Sequence, residues 1–207
     1  MGFGDFSVDL EKPLGIILEE REAGGIGGGV KVKEISADGS AAVGSNIVPG
    51  DILQQVNGQD VSSADFDSVM QSLIESPPKV SLTISDGLGI MDMPPNVLKT
   101  LQPEEAILVD TTVRQAVREI RRSKRLGELL KVEIIVGAGV KEVKGEGKRC
   151  MVRFFAIFST DGVTTYSCNV SAAGIVQEDD ERVKIVSLSC AKDEGLGQTI
   201  DLIQERR

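Results

Sequence analysis

Residues 12 to 16 read Lys-Pro-Leu-Gly-Ile, a break inside an otherwise strand-like apolar run from Leu10 to Leu18. A glycine at position 15 lets the main chain turn so that the N–H groups of Leu14, Gly15 and Ile16 point into one concavity. Pro13 fixes the approach and lacks an N–H of its own. A nest of amides of this kind suits an anion, here a carboxylate. Lys12, immediately upstream, adds a cation that would support the anion directly or through water. The strand that follows, Ile16 to Glu20, would then be an open edge to which an extended peptide could add itself as one more strand.

Other residue types close off chemistry. The chain has no histidine, which removes Ser-His-Asp and Cys-His catalysis and the commonest zinc ligand. Ser-Lys catalysis is the inexpensive option left, and no serine is placed beside a lysine by sequence alone. Cys150, Cys168 and Cys190 lack CxxC spacing and sit in apolar alternating runs, so they read as small core residues, with a Cys168–Cys190 bridge as the alternative. No cofactor is expected. The run Gly24 to Gly29 lacks the Gly-Lys-Ser/Thr of a phosphate loop and reads as a hairpin loop. The acidic run Gln177 to Glu181 lacks the glycine and spaced oxygens of a calcium loop and reads as a charged hairpin tip. Arg118, Arg121, Arg122 and Arg125 fall at i, i+3, i+4 and i+7, with Arg114 and Lys124 nearby. They form either a solvated helix face or a docking face for anionic lipid or an acidic protein.

These groups need elements to hold them. No run approaches the ~18 consecutive apolar residues of a membrane span. The first residues carry no targeting signature, so the expectation is a cytosolic protein or a mature form whose targeting segment was removed. Residues 1 to 90 contain 5 Lys/Arg against 14 Asp/Glu, whereas residues 91 to 207 contain 18 of each. This shift marks a domain boundary and argues against a nucleic-acid partner. The expected organisation is a first domain at 1–86, a Gly/Pro linker at 87–98 containing Pro94-Pro95, and a second domain at 99–207.

In the first domain, period-two apolar runs at 5–10, 15–20, 29–36, 51–58 and 79–85 predict short strands. Phe66, Val69, Met70 and Leu73 recur at helical spacing after Ser63 or Asp65 as N-cap, with Pro77-Pro78 as a stop. In the second domain, a helix is predicted with Asp110 as N-cap and Val113, Ala116, Val117 and Ile120 on one face. Strand-like runs follow, with turns at Gly145 to Gly147, at Glu178 to Glu181 and between Lys192 and Gly197, and with Asp161-Gly162 as a two-residue hairpin. The reading is an α+β domain, a helix packed across an antiparallel meander. Ile135 to Gly139 and the helix-then-meander order resemble the cystatin fold.

Residues of about 5 to 86 resemble the PDZ domain. The resemblance rests on Lys12 to Ile16 where the family has its carboxylate-binding loop, on Gly50-Asp51-Ile52-Leu53 and Val56-Asn57-Gly58, and on the helix beginning near Phe66. The alternative is an unrelated small β-barrel with a bulge at Gly15. The resemblance implies a small, partly open β-barrel or sandwich with two helices. It implies a ligand carboxylate at Lys12, Leu14, Gly15 and Ile16, with side-chain pockets formed from Ile16, Ile17, Leu18, Phe66, Val69, Met70 and Leu73. Phe66, at the first position of the ligand-facing helix, implies a ligand with apolar residues at its last and third-from-last positions. Pro13-Leu14 replaces the family's usual Gly-Leu, which leaves an internal segment or a permanent protein contact as the alternative ligand. The Lys12 to Glu20 form resembles PDZ domains of plastid and thylakoid proteins of algae and plants, which implies a photosynthetic complex as partner. The expected function is a non-catalytic adaptor or assembly subunit. The competing readings are a substrate-recognition component linked to a protease or hydrolase, and a peripheral membrane protein docked through its arginines.

Overall fold

The computed structural model describes residues 4–21, 28–123, 125–144, 147–176, 182–192 and 198–204. The expected turns at Gly145-Glu146, Glu178 to Glu181 and Asp193 to Gly197, most of the Gly24 to Gly29 loop, and Lys124 lie outside them. The chain divides into two compact units, Met1–Gly89 and Ile90–Arg207.

The first unit contains β1 (Asp5–Glu11), β2 (Ile16–Glu20), β3 (Val30–Ile35), β4 (Ile52–Val56), β5 (Gln59–Asp60), α1 (Phe66–Glu75) and β6 (Lys79–Ser85). The strand order is β1-β6-β4-β3-β2, with β5 paired to β4. Alternation buries Val30 and Val32 of β3 and Val80, Leu82 and Ile84 of β6, a register shift between Leu53 and Gln55 lets both Leu53 and Val56 of β4 join them, and Val69 and Leu73 of α1 complete the core. Of the two helices expected here, one is reduced to a 3-10 turn, Ser40–Ala42.

The two sequence elements that carry the resemblance have local reasons. Asp51 is buried and its Oδ2 accepts the Val48 N–H at 2.9 Å, closing the turn before β4. Asn57 and Gly58 both have positive φ, 51° and 81°, as the tight β4–β5 hairpin requires. The Asn57 side chain then accepts the Ser81 N–H at 2.9 Å and donates to Ser76 Oγ at 2.8 Å, joining the hairpin to β6 and to the end of α1. Asp65, rather than Ser63, is the N-cap of α1.

The second unit contains α2 (Pro95–Leu98), α3 (Pro103–Ser123), β7 (Glu128–Val143), β8 (Gly147–Ser159), β9 (Thr165–Val176), β10 (Val183–Lys192) and β11 (Thr199–Ile203). The strands form an antiparallel meander in sequence order, and α3 packs across it. Val109, Val113, Ala116, Val117 and Ile120 of α3 are buried, as are Phe154 and Phe158 of β8, Val170 of β9 and Leu188 of β10. No helix among the described residues is long and apolar enough to cross a membrane.

Several expectations are corrected here. The segment read as a linker is partly built into the second unit: the Ile135 N–H donates to Asp92 O at 3.2 Å, and Val97 is buried. Helix α3 begins seven residues before Asp110, with Pro103 in its first turn and the Gln102 N–H donating to Glu105 at 2.8 Å. Residues Glu128–Val143 form one long strand, β7, interrupted by register shifts. Asp161-Gly162 sits in a five-residue loop between Ser159 and Thr165, because the Asp161 carboxylate accepts the N–H groups of Val163 and Thr164 at 2.9 and 2.6 Å.

Tyr166 stacks on Phe158 with 5.7 Å between ring centroids, donates its hydroxyl to Leu126 O, and has the Lys192 ammonium 4.3 Å from its ring. The three cysteines are buried thiols outside any disulfide, so the Cys168–Cys190 bridge does not form. Cys190 stands opposite Val170, two residues from Cys168, and burial pushes its thiol up to about 12.

Candidate functional site

The loop from Pro13 to Gly15 is held by its carbonyls. Ser40 N–H donates to Pro13 O at 3.0 Å, Ala41 N–H to Leu14 O at 3.0 Å, and Ser36 N–H to Gly15 O at 2.8 Å. With the oxygens committed on one side, the amides face the other way. Among the described residues, the N–H groups of Leu14 and Gly15 have no hydrogen-bond partner.

Gly15 has φ +70°, and a Cβ there would lie 2.5 Å from the Gly39 Cα. A Cβ on Gly39 would lie 2.2 Å from the Gly15 Cα, so two backbones meet with no room for a side chain on either. Sequence reading found Gly15 but missed Gly39 and Ser40, which brace the loop. Ser40 also donates its hydroxyl to Glu11 O at 2.6 Å. The available signal was Asp38-Gly39, a turn dipeptide.

Lys12 is corrected. Its ammonium donates to Ile74 O at 3.0 Å and Ser76 O at 2.6 Å, and its N–H donates to Pro78 O at 2.8 Å. It therefore satisfies carbonyls at the end of α1, where a cation also meets the negative end of the helix dipole. Lys12 thereby ties the loop to the helix.

Strand β2 is the end of its sheet, paired to β3 alone, and its second edge is open. Leu14, Ile16 and Leu18 are partly buried and pack on the same core as Phe66 and Met70, with Val69 and Leu73 buried in it. The structure thus brings together six of the seven expected pocket residues. Ile17 is the exception: it is 45% exposed and lies outside the cluster, because adjacent strand residues point to opposite faces. Helix α1, which supplies Phe66, Val69, Met70 and Leu73 to the cluster, has its first turn fixed by the Ser68 N–H donating to Asp65 Oδ1 at 2.7 Å. That bond holds the Asp65 carboxyl below the usual carboxylate range. Apolar residues of β2 and α1 thus share one cluster, β2 keeps an unpaired edge, and the Leu14 and Gly15 amides stand just before that strand.

A sequence model of the PDZ domain family matches residues 6–85. Residues 6–85 are a PDZ domain. The solved structures similar to this PDZ domain include the N-terminal PDZ domain of InaD in complex with a NorpA C-terminal peptide, at 24% identity, TM-score 0.35, 39% of this chain and 94% of that chain. Another is a PDZ domain from choanoflagellate GIPC, at 22% identity, TM-score 0.36, 42% of this chain and 96% of that one. A third is PDZ2 of Dlg1 from the choanoflagellate Monosiga brevicollis, at 16% identity, TM-score 0.36, 40% of this chain and 92% of that one. Comparison of the chain with curated proteins gives no match.

The arginine face of α3 is also corrected. Arg114 is buried and forms a two-point pair with Asp110, Nε to Oδ2 at 2.6 Å and Nη2 to Oδ1 at 3.3 Å. Arg118 is 8% exposed. Arg121 is half-buried, Arg122 pairs with Glu119 at 2.7 Å, and Arg125 lies past the helix end, donating to Asp201 O at 2.7 Å. The intervals that stack these residues on a helical wheel do not present them together to solvent, because the flank nearest the sheet is covered.

Proposed function

We propose that this chain is a non-catalytic adaptor or assembly subunit whose PDZ domain captures a protein C-terminus. The observation that carries the reading is the pair of unpartnered Leu14 and Gly15 amides at the head of the open β2 edge. A ligand strand adds to that edge, its terminal carboxylate accepts the amides of Leu14, Gly15 and Ile16, and its side chains alternate onto the apolar residues of β2 and α1. The last side chain enters among Leu14, Ile16, Met70 and Leu73. The third-from-last side chain meets Leu18 and Phe66, so both are apolar. The InaD domain was solved with a C-terminal peptide, and a choanoflagellate GIPC PDZ domain was solved bound to a GAIP peptide, which is the mode proposed for this chain. The net charge of −9 over residues 1 to 90 favours ligands with basic residues upstream of the apolar end.

The second domain supplies a further docking surface in this reading, and its helix-then-meander order is the basis for the cystatin-like fold assignment, from which no inhibitor role is taken. A plastid setting, with a thylakoid complex as partner, is supported by the Lys12 to Glu20 sequence form. Organelle fractionation with antibody against the chain tests it.

The direct experiment is binding of the full chain to a C-terminal peptide library, each peptide made as free acid and as amide. Preference for free acids with apolar last and third-from-last residues, lost in Phe66→Ala and Met70→Lys, is expected. Equal, negligible binding of acids and amides would overturn the reading.

A further inference from the structure

We propose that the outer face of the C-terminal sheet is a docking trench for an acidic segment of a partner protein. Alternation along β8 sends Cys150, Val152 and Phe154 into the core and Arg149, Met151 and Arg153 to the other face. Register extends that face across the neighbouring strands. Met151 stands between Gly139 of β7 and Ala173 of β9, and Ala173 pairs with Ser187 of β10. Arg153 stands between Gly137 and Ser171. Small residues thus floor an open trench of about 590 Å³, from which Met151 emerges 42% exposed.

Gly139 points to an external occupant. Its φ is not positive, and a Cβ added to it would meet nothing within 4 Å. Glycine weakens a strand interior, and neither backbone conformation nor internal packing requires it here. Gly137 has its own reason, since a register shift adjoins it, but Gly139 lies in regular pairing. A bare strand position that the chain itself does not need is one where another molecule approaches the backbone closely.

Charge identifies the occupant. Lys141 pairs with Arg149, Arg149 with Ile175, and Ile175 with Lys184, so the same face carries Lys141, Arg149, Lys184 and Arg153. The three cross-strand rows through Arg149, Met151 and Arg153 contain no carboxylate from β7 to β10, and the Arg153 row ends on β11 at Asp201, whose carboxylate accepts Gln204 Nε2 at 2.9 Å. This cationic face occurs on a chain whose net charge is −9. Arg153 and Lys184 stand in the rows on either side of the Met151 row, so they suit two carboxylates flanking an apolar residue on an extended segment. A flat lipid surface would leave the trench unfilled, whereas a polypeptide fills it.

The test uses the full chain and a fluorescein-labelled, C-terminally amidated peptide of repeating Glu-Glu-Leu, read by anisotropy. Amidation removes the terminal carboxylate that the PDZ loop would hold. Binding should weaken with salt and fall at least about tenfold in the pair Arg153→Glu with Lys184→Glu. It should fall similarly in Gly139→Leu, which fills the trench without changing charge, and persist in Phe66→Asp. Ser187→Leu, on β10 at the other side of the trench, is the second filling variant should Gly139→Leu lose its circular dichroism spectrum. Binding that both filling variants leave unchanged would overturn the trench. Binding to anionic phosphatidylserine vesicles without binding to the peptide would overturn the polypeptide in favour of a lipid surface, and binding to neither would overturn the site.

Discussion

An alanine at position 15 would have to hold a left-handed backbone and place its methyl 2.5 Å from the Gly39 Cα. The backbone alone costs about 1–2 kcal/mol, and moving the opposing chain adds to it. Gly15→Ala should therefore lower the urea midpoint of the N-terminal domain and weaken free-acid peptides towards the affinity of the amides. Lys12 gives a sharper contrast. With its ammonium on Ile74 O and Ser76 O, Lys12→Met should cost about 1 kcal/mol in stability and weaken acid and amide peptides alike. Were the ammonium the carboxylate's partner, the same variant would abolish the preference for free acids while leaving stability nearly intact. Peptide titrations paired with urea melts separate the two.

Helix α1 begins at a cap whose strength depends on pH. The Ser68 N–H that Asp65 accepts depresses the carboxyl's folded-state pKa, so its contribution is present above the ordinary carboxylate range, about 4, and fades as pH falls through the folded value. Asp65→Ala should lower the urea midpoint at neutral pH, and the gap between variant and parent should close as pH falls below about 4. Legibility divides the elements along the same physical line. The strands of the first domain could be read because half-buried strands impose alternation, and α1 because its cap and apolar spacing are both local. The first turns of α3 could not, because Pro103, Glu104 and Glu105 carry no apolar period and their capping bond runs backwards to Gln102. At the site, Gly15 was legible as an interruption, whereas its partner Gly39 was not, since that contact joins residues far apart in sequence. The fate of Lys12, Arg114 and Arg118 likewise depended on long-range neighbours that charge and spacing do not reveal.

At the scale of the molecule, the composition shift near residue 90 coincides with the division between units at Gly89 and Ile90. The PDZ domain closes its own core from β1 to β6 without a residue beyond Gly89. A fragment of residues 1–89 should therefore unfold cooperatively in urea and retain the peptide preference of the whole chain. A fragment ending at residue 78 removes β6, the strand between β1 and β4, and should give neither. The setting of Tyr166 has an optical consequence. It is the chain's one tyrosine, and there is no tryptophan, so near-ultraviolet emission reports only on the C-terminal domain. Its hydroxyl bond to Leu126 ties that signal to the start of the meander, and loss of the bond on unfolding should change both intensity and anisotropy. The PDZ domain is dark in the same channel. A tryptophan or dye on an incoming peptide would therefore be seen against an empty background, and one cuvette could follow ligand capture and the integrity of the second domain as two separate colours.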